Sequence, residues 1–308
     1  MNAFFILSGF LIADSLERRA DPYQFVAARA LRLWPALLVL SFVAVFVIGP
    51  AVTVFSVPEY FGAAQTWLFP VNVLAFLDTS QGPAGIFSAH PWSGEFSATL
   101  WTLRYEVIAY AAAALIFFSP LPWGRYAHLV LFAVTTAAHV GISLFWEDAP
   151  ALIASAARLS SAFTIGMVIH AWRHRMPILP WPLVLVVPLW LALGEHPSAE
   201  LFMNLAIASA MFAVAFAALE RWPTGADLPD WSYGIYIWHY PIMQLVLFFD
   251  PNADPLKIGM IAVPVTCLVS AMSWSFVEKP GLGFKTALGD RLRRIRSANR
   301  KGPTGPVN

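Results

Sequence analysis

The feature that most constrains this chain is a series of apolar runs long enough to cross a bilayer, with lysine and arginine confined to alternate connections. A helix needs roughly 20 apolar residues to span the hydrocarbon layer. Such runs lie at residues 33–49, 100–118, 127–146, 151–172, 178–193, 201–219, 231–249 and 258–277. The run at 178–193 is short and carries Pro180, Pro182 and Pro188, which predicts a kinked span. Two other runs are too short to cross. One, at 67–77, contains Pro70 and reads as interfacial or re-entrant. The other, at 3–13, covers only about 16 Å at roughly 1.5 Å per residue. With 58% of its 308 residues hydrophobic and 12% charged, the chain lacks the polar residues that a soluble fold needs on its surface. The expected fold class is all-α: a polytopic transmembrane helix bundle of about eight full spans plus a partial N-terminal one.

Charge placement sets the expected orientation. With the loop from Asp14 to Arg32 placed inside and the spans alternating, all of the 19 lysines and arginines fall on that side except Arg104, Arg158 and Lys257. That asymmetry is the positive-inside pattern. The opposite connections, 58–97, 147–150, 194–200 and 250–254, are acidic or neutral. The run at 3–13 has no basic region before it and no small-residue cleavage site after it, so a signal peptide does not fit. A helix starting in mid-membrane would leave its first N–H groups in lipid, so further sequence is expected upstream of Met1. The domain reading is a membrane domain over 1–283 and a basic, disordered cytoplasmic tail over 284–308, drawn to anionic lipid.

Several classes drop out. Cys267 is the only cysteine, so no internal disulfide forms. No Cys/His cluster has metal spacing, no glycine-rich phosphate loop occurs, and no basic-aromatic surface suits nucleic acid.

Polar residues inside the spans mark candidate function, because a charge at that depth needs a partner or a wet cavity. Glu106 and Arg158 lie at similar depth on the outer side, which predicts a Glu106–Arg158 pair or a shared polar pocket. A purely structural ion pair fits equally well. Arg104 can snorkel outward. His239, near the middle of its run and close to Pro241, suits either proton transfer or hydrogen-bonded packing.

At this point the residues carry a resemblance. Phe4-Phe5-Ile6-Leu7-Ser8-Gly9-Phe10-Leu11-Ile12 resembles the "FFxLSGFLI" signature of the membrane-bound acyltransferase-3 family, the O-acylation enzymes of bacterial surface glycans. Arg29-Ala30-Leu31-Arg32 resembles its RxxR, followed by Trp34-Pro35. Leu100-Trp101-Thr102-Leu103-Arg104-Tyr105-Glu106 resembles "LWSLxxE". The stretch from Ser232 to Pro241 resembles "SYxxYLWHxP", and Phe276-Val277-Glu278-Lys279-Pro280 resembles "FVExP". The blocks stand in family order along nearly the whole chain. The family usually has ten spans, so the resemblance implies that the run at 3–13 is the second. It places the family's first span, with the histidine thought to act as base, upstream. Met1 falls where members often have valine, as a valine codon read as a start would give.

The resemblance implies a membrane O-acyltransferase that takes an acyl group, acetyl first among the candidates, from cytoplasmic acyl-CoA. The acceptor would be a hydroxyl of a cell-surface glycan or glycolipid. Acyl-CoA, best acetyl-CoA, would be a co-substrate; no bound cofactor or metal is implied. Arg29 and Arg32 would bind the phosphates of the acyl-CoA, a task that suits guanidinium groups. Glu106 and His239 would be the catalytic residues of this chain, Glu106 orienting the histidine and His239 positioning the thioester or acceptor. Trp101, Tyr105, Arg158 and Tyr236 would line the substrate site. The protein would sit in the bacterial inner membrane among membrane lipid, with the loop from Asp14 to Arg32 cytoplasmic. A solute transporter and a non-catalytic membrane partner are the rival readings, and the oligomeric state is not legible.

Overall fold

The computed structural model describes residues 1–19, 21–88, 93–120, 124–175, 182–221 and 229–300. Among these the chain is helical, with a single isolated β-bridge between Thr53 and Ile86. Six helices are long and apolar enough to cross a membrane: Pro22–Val52, Leu100–Phe117, Arg125–Phe145, Ala151–Trp172, Ala199–Phe216 and Pro255–Gly283. Two of the eight expected spans fall outside this set. The run at 178–193 yields a helix of 11 residues, Leu183–Leu193, and residues 178–181 lie outside the described residues. The run at 231–249 forms Ser232–Phe249, whose His239 and Gln244 dilute its apolar content.

The chain divides into two compact units, one of residues 1–22 and 105–228 and the other of residues 23–104 and 229–308. In the first, α1 (Asn2–Arg19) packs against α7 (Ala151–Trp172), and α7 against α6 (Arg125–Phe145). Helix α8 (Leu183–Leu193) packs on α9 (Ala199–Arg221). The expected partial span is therefore part of a helix 18 residues long, with Ile6, Ile12 and Leu16 fully buried. It lies close to α7 because glycines face backbone on both helices. A Cβ on Gly9 would stand 1.9 Å from the Phe163 carbonyl oxygen, and one on Gly166 would stand 1.9 Å from that of Ile6. Small residues at such crossings replace the hydrophobic drive that lipid cannot supply. Hydroxyl pairs Thr135–Thr164 at 2.9 Å and Thr136–Ser161 at 3.0 Å join α6 to α7.

The second unit holds α2 (Pro22–Val52), α3 (Val57–Gly62), α4 (Ala64–Leu74), the first turn of α5 (Leu100–Phe117), α10 (Ser232–Phe249), α11 (Pro255–Gly283) and α12 (Lys285–Arg300). Helix α5 crosses the boundary, so its remaining residues belong to the first unit. Both α2 and α11 contain one wide π turn just before a proline, Ala44–Ile48 ahead of Pro50 and Trp274–Glu278 ahead of Pro280. The proline removes an N–H from the ladder, and the wide turn absorbs the break. In α2 the turn leaves the Val45 carbonyl to accept from the Tyr60 hydroxyl at 2.9 Å. Only glycine fits at 49, where a Cβ would lie 1.8 Å from that hydroxyl. The short run at 67–77 largely coincides with α4, which buries Phe69 and Val73 and exposes Trp67, Leu68 and Val71.

The basic segment after residue 283, expected to be disordered, is helical over Lys285–Arg300; residues 301–308 lie outside the described residues. Its sequence alternates apolar and basic residues at helical spacing, which the charge count alone obscured.

Candidate functional site

In the second unit, three stretches far apart in sequence converge on one guanidinium. Arg32 projects from α2. Its Nη1 donates to Glu278 at 3.1 Å, and its Nη2 lies 2.8 Å from Asp230 and donates to the Ser232 hydroxyl at 3.2 Å. The rings of Tyr233 and Trp274 flank it, each with its centroid 5.6 Å from Cζ. Glu278 is fully buried and also accepts from Ser273 at 2.9 Å. The π turn of α11 ends at Glu278, so the bulge sets the side on which this carboxylate emerges. On the solvent side, burial works to raise the Asp230 carboxyl, but Arg32 and the Ser232 hydrogen bonds outweigh it and hold the pKa below its ordinary value. Arg29, three residues before Arg32, lies over the Phe25 ring at 5.9 Å.

Further along α10, the Tyr236 hydroxyl donates to the Thr99 carbonyl at 2.8 Å and makes a very short contact with Thr102. Thr102 and the half-buried Trp101 share the opening 3₁₀ turn of α5. Tyr240 donates to Glu95 at 2.9 Å, and Gln244 donates to the Glu95 carbonyl at 2.9 Å. His239 Nδ1 lies 3.0 Å from the Ile235 carbonyl of its own helix. A carbonyl only accepts, so Nδ1 carries the hydrogen, and the neutral ring holds its lone pair on Nε2.

In the first unit, buried Glu106 accepts from Ser8 at 3.4 Å and from Tyr110, while Ser8 donates to Tyr110 at 3.1 Å. Tyr105 is buried beside it in sequence. The expected pairing of Arg158 with Glu106 gives way to a different partner. Arg158 Nη1 lies 3.7 Å from Glu200 on α9. Glu200 is also 3.4 Å from His139 Nε2 and accepts from Asn2 at 2.8 Å, and Asn2 donates to Asn204 at 2.7 Å. Glu200 had been read as loop, and α9 begins early enough to bring it to Arg158. Asp230 and Glu278 carried no separate role in the sequence reading. Among the described residues, no group of three or more metal-ligating side chains converges.

An all-helical chain with several apolar spans is a membrane protein. It belongs to the acyltransferase-3 family: the family model, an acyltransferase domain, matches residues 1–277. It is similar to nodulation protein 10 of Rhizobium leguminosarum bv. viciae, with 27% identity across 92% of this chain and 82% of that protein. It is also similar to an O-acetyl transferase of Shigella phage Sf6, with 24% identity across 90% of this chain and 82% of that one. An exopolysaccharide production protein of Rhizobium meliloti (strain 1021) is 26% identical across 90% of this chain and 84% of its own length. No solved structure matches the chain significantly. The protein is an acyltransferase of the membrane.

Proposed function

We propose that this acyltransferase moves an acetyl group from cytoplasmic acetyl-CoA to a hydroxyl of a cell-surface glycan or glycolipid, from a seat in the bacterial inner membrane. The observation that carries the reading is the convergence at Arg32. The RxxR segment, the start of α10 and the end of α11 meet there around one guanidinium, with two aromatic rings and the Asp230 and Glu278 carboxylates beside it, on the side that the charge asymmetry assigns to the cytoplasm. Guanidinium groups suit the phosphates of a CoA donor, and the Tyr233 and Trp274 rings hold the Arg32 plane. Arg29 lies on the same helix and contributes the second cation. The acceptor hydroxyl is a weak nucleophile and needs a base. His239 serves, with its lone pair fixed on Nε2, and Glu106 serves as a buried carboxylate within its own polar cluster. Tyr236 and Trp101 are the substrate-binding candidates of the second unit, and Tyr105 and Arg158 are those of the first. The relative named an O-acetyl transferase supports acetyl as the group, and the exopolysaccharide production protein supports a glycan acceptor.

The test is transfer of label from radiolabelled acetyl-CoA to surface glycan in membranes containing the full chain. Label should appear in glycan and fall sharply in the Arg29→Ala, Arg32→Ala double variant. Equal donor dependence in that variant would overturn the donor-site assignment, and absence of labelled glycan from the parent would overturn the reaction.

A further inference from the structure

Helix α12 starts two residues after the last apolar helix ends at Gly283, so it begins where that helix leaves the membrane. It meets the start of α2. Gln24 donates to the Thr286 carbonyl at 3.4 Å and to Asp290 at 3.2 Å, and Arg296 donates to the Tyr23 hydroxyl at 2.7 Å. Gly289 makes this possible, since a Cβ there would stand 2.6 Å from the Gln24 side chain. Contacts from residue 286 to residue 296 cover about 15 Å of helix at roughly 1.5 Å per residue, yet they all reach residues 23 and 24. Helix α12 therefore crosses the end of α2 instead of running along it. A helix that leaves one span and crosses the end of another lies in the plane of the membrane surface.

Its sequence fits that position. At about 100° per residue, Leu288, Leu292 and Ile295 form one stripe roughly 60° wide, set to one side of the face that meets Gln24. Ile295 is 54% exposed, and Phe284, just before the helix, is 65% exposed. Arg291 borders the stripe on one side, with Lys285 and Arg296 on the other. Asp290 is the one acidic residue of the helix. A narrow apolar stripe between cations is the pattern of helices that rest at the headgroup level.

We propose that α12 is an interfacial helix that binds the anionic phospholipid headgroups of the leaflet at which α2 begins and α11 ends. Its apolar stripe sits at the acyl boundary, and its arginines contact lipid phosphates. The helix braces the start of α2, the helix that carries Arg29 and Arg32. This inference rests on the charge and geometry of α12 and does not depend on the donor or acceptor of the reaction.

The test uses the full chain in nanodiscs of phosphatidylcholine alone, or of phosphatidylcholine and phosphatidylglycerol in equal parts. Cys267→Ser provides the background, and an environment-sensitive fluorophore is attached through Ile295→Cys or, about 100° around the helix and off the apolar stripe, Arg294→Cys. With phosphatidylglycerol present, nitroxide lipid should quench the 295 probe about twofold more than the 294 probe, and aqueous iodide should show the reverse order. Adding Arg291→Glu and Arg293→Glu to the Ile295→Cys protein should abolish the gain that phosphatidylglycerol gives. Equal quenching at the two positions would overturn the interfacial placement. Shielding of position 295 that is the same in both lipids would overturn headgroup recognition.

Discussion

The Nη1 atom of Arg32 lies 3.1 Å from a carboxylate, Glu278, that has no solvent exposure. Removing Arg32 leaves the buried Glu278 charge uncompensated, which typically costs about 3–5 kcal/mol, whereas removing Glu278 leaves Arg32 still paired with Asp230. Arg32→Ala should lower thermal stability in detergent by an amount of that order, and Glu278→Ala by less. The paired apolar replacement Arg32→Met with Glu278→Leu should recover much of it. A double variant as unstable as the sum of the singles would show that the two residues act separately.

Asp230 contacts the same guanidinium but is half exposed, so the stability it adds is small, about 0–1 kcal/mol. It also occupies the outward side of Arg32, where a donor phosphate would bind. Asp230→Asn should therefore lower the KM for acetyl-CoA by up to about fivefold, with kcat little changed. A raised KM would mean that the carboxylate orients Arg32 for the donor instead of competing with it.

The pH dependence of that contact follows from its sign. The folded pKa of Asp230 is depressed below 3.8, so its contribution is complete above that value and is lost only as pH falls through the lower, folded pKa. Melting temperatures of parent and Asp230→Asn should differ by a constant amount from about pH 5 to pH 8 and converge in strong acid. A difference that changes within the neutral range would assign the titration to another group.

The reciprocal glycines of α1 and α7 give a packing test. Gly9→Ala and Gly166→Ala each push a methyl group into a carbonyl oxygen of the facing helix, and overpacking of this kind costs about 1–3 kcal/mol. Gly141 in α6 has open space where its Cβ would stand. Gly141→Ala should be neutral or should stabilise by up to about 1 kcal/mol, because alanine is the better helix former. Thermal melts of the three variants in one detergent give the comparison.

His239 is tested by kinetics. If Nε2 removes the acceptor proton, His239→Gln should reduce kcat by about 10²–10⁴ while leaving the donor KM near that of the parent. A reduction below tenfold would return the ring to a packing role on α10.

The long helices were legible because sustained apolar runs with at most two internal charges admit one reading. The helix over 2–19 was not read to its full length, because its second half, with Asp14, Glu17, Arg18 and Arg19, looks like a loop by charge alone. The interior of its unit favours helix there: Leu16 is fully buried, and His170 lies 3.5 Å from Asp14 and 3.8 Å from Glu17. Arg29, Arg32, Tyr236 and His239 were nominated through motif and position. The partner of Arg158 was not, because depth along the chain fixes the level of a side chain in the membrane but not the direction it faces. Glu278 stood in a recognised motif, yet its contact with Arg32 depends on a break in helical periodicity that no 3.6-residue pattern predicts.

That break sets the phase of the end of α11. A π turn fits one extra residue into a single turn, so every side chain after it is rotated by about 100° from the phase that an uninterrupted α-helix would give. In α11 the inserted residue acts as a vernier: it decouples the lipid-facing pattern before Ser273 from the orientation of Glu278 and all that follows. A conservative substitution preserves the phase, and a one-residue deletion between Trp274 and Val277 would restore regular winding with the Glu278 carboxylate still on the side of Arg32, whereas regular winding of the undeleted sequence would swing it about 100° away.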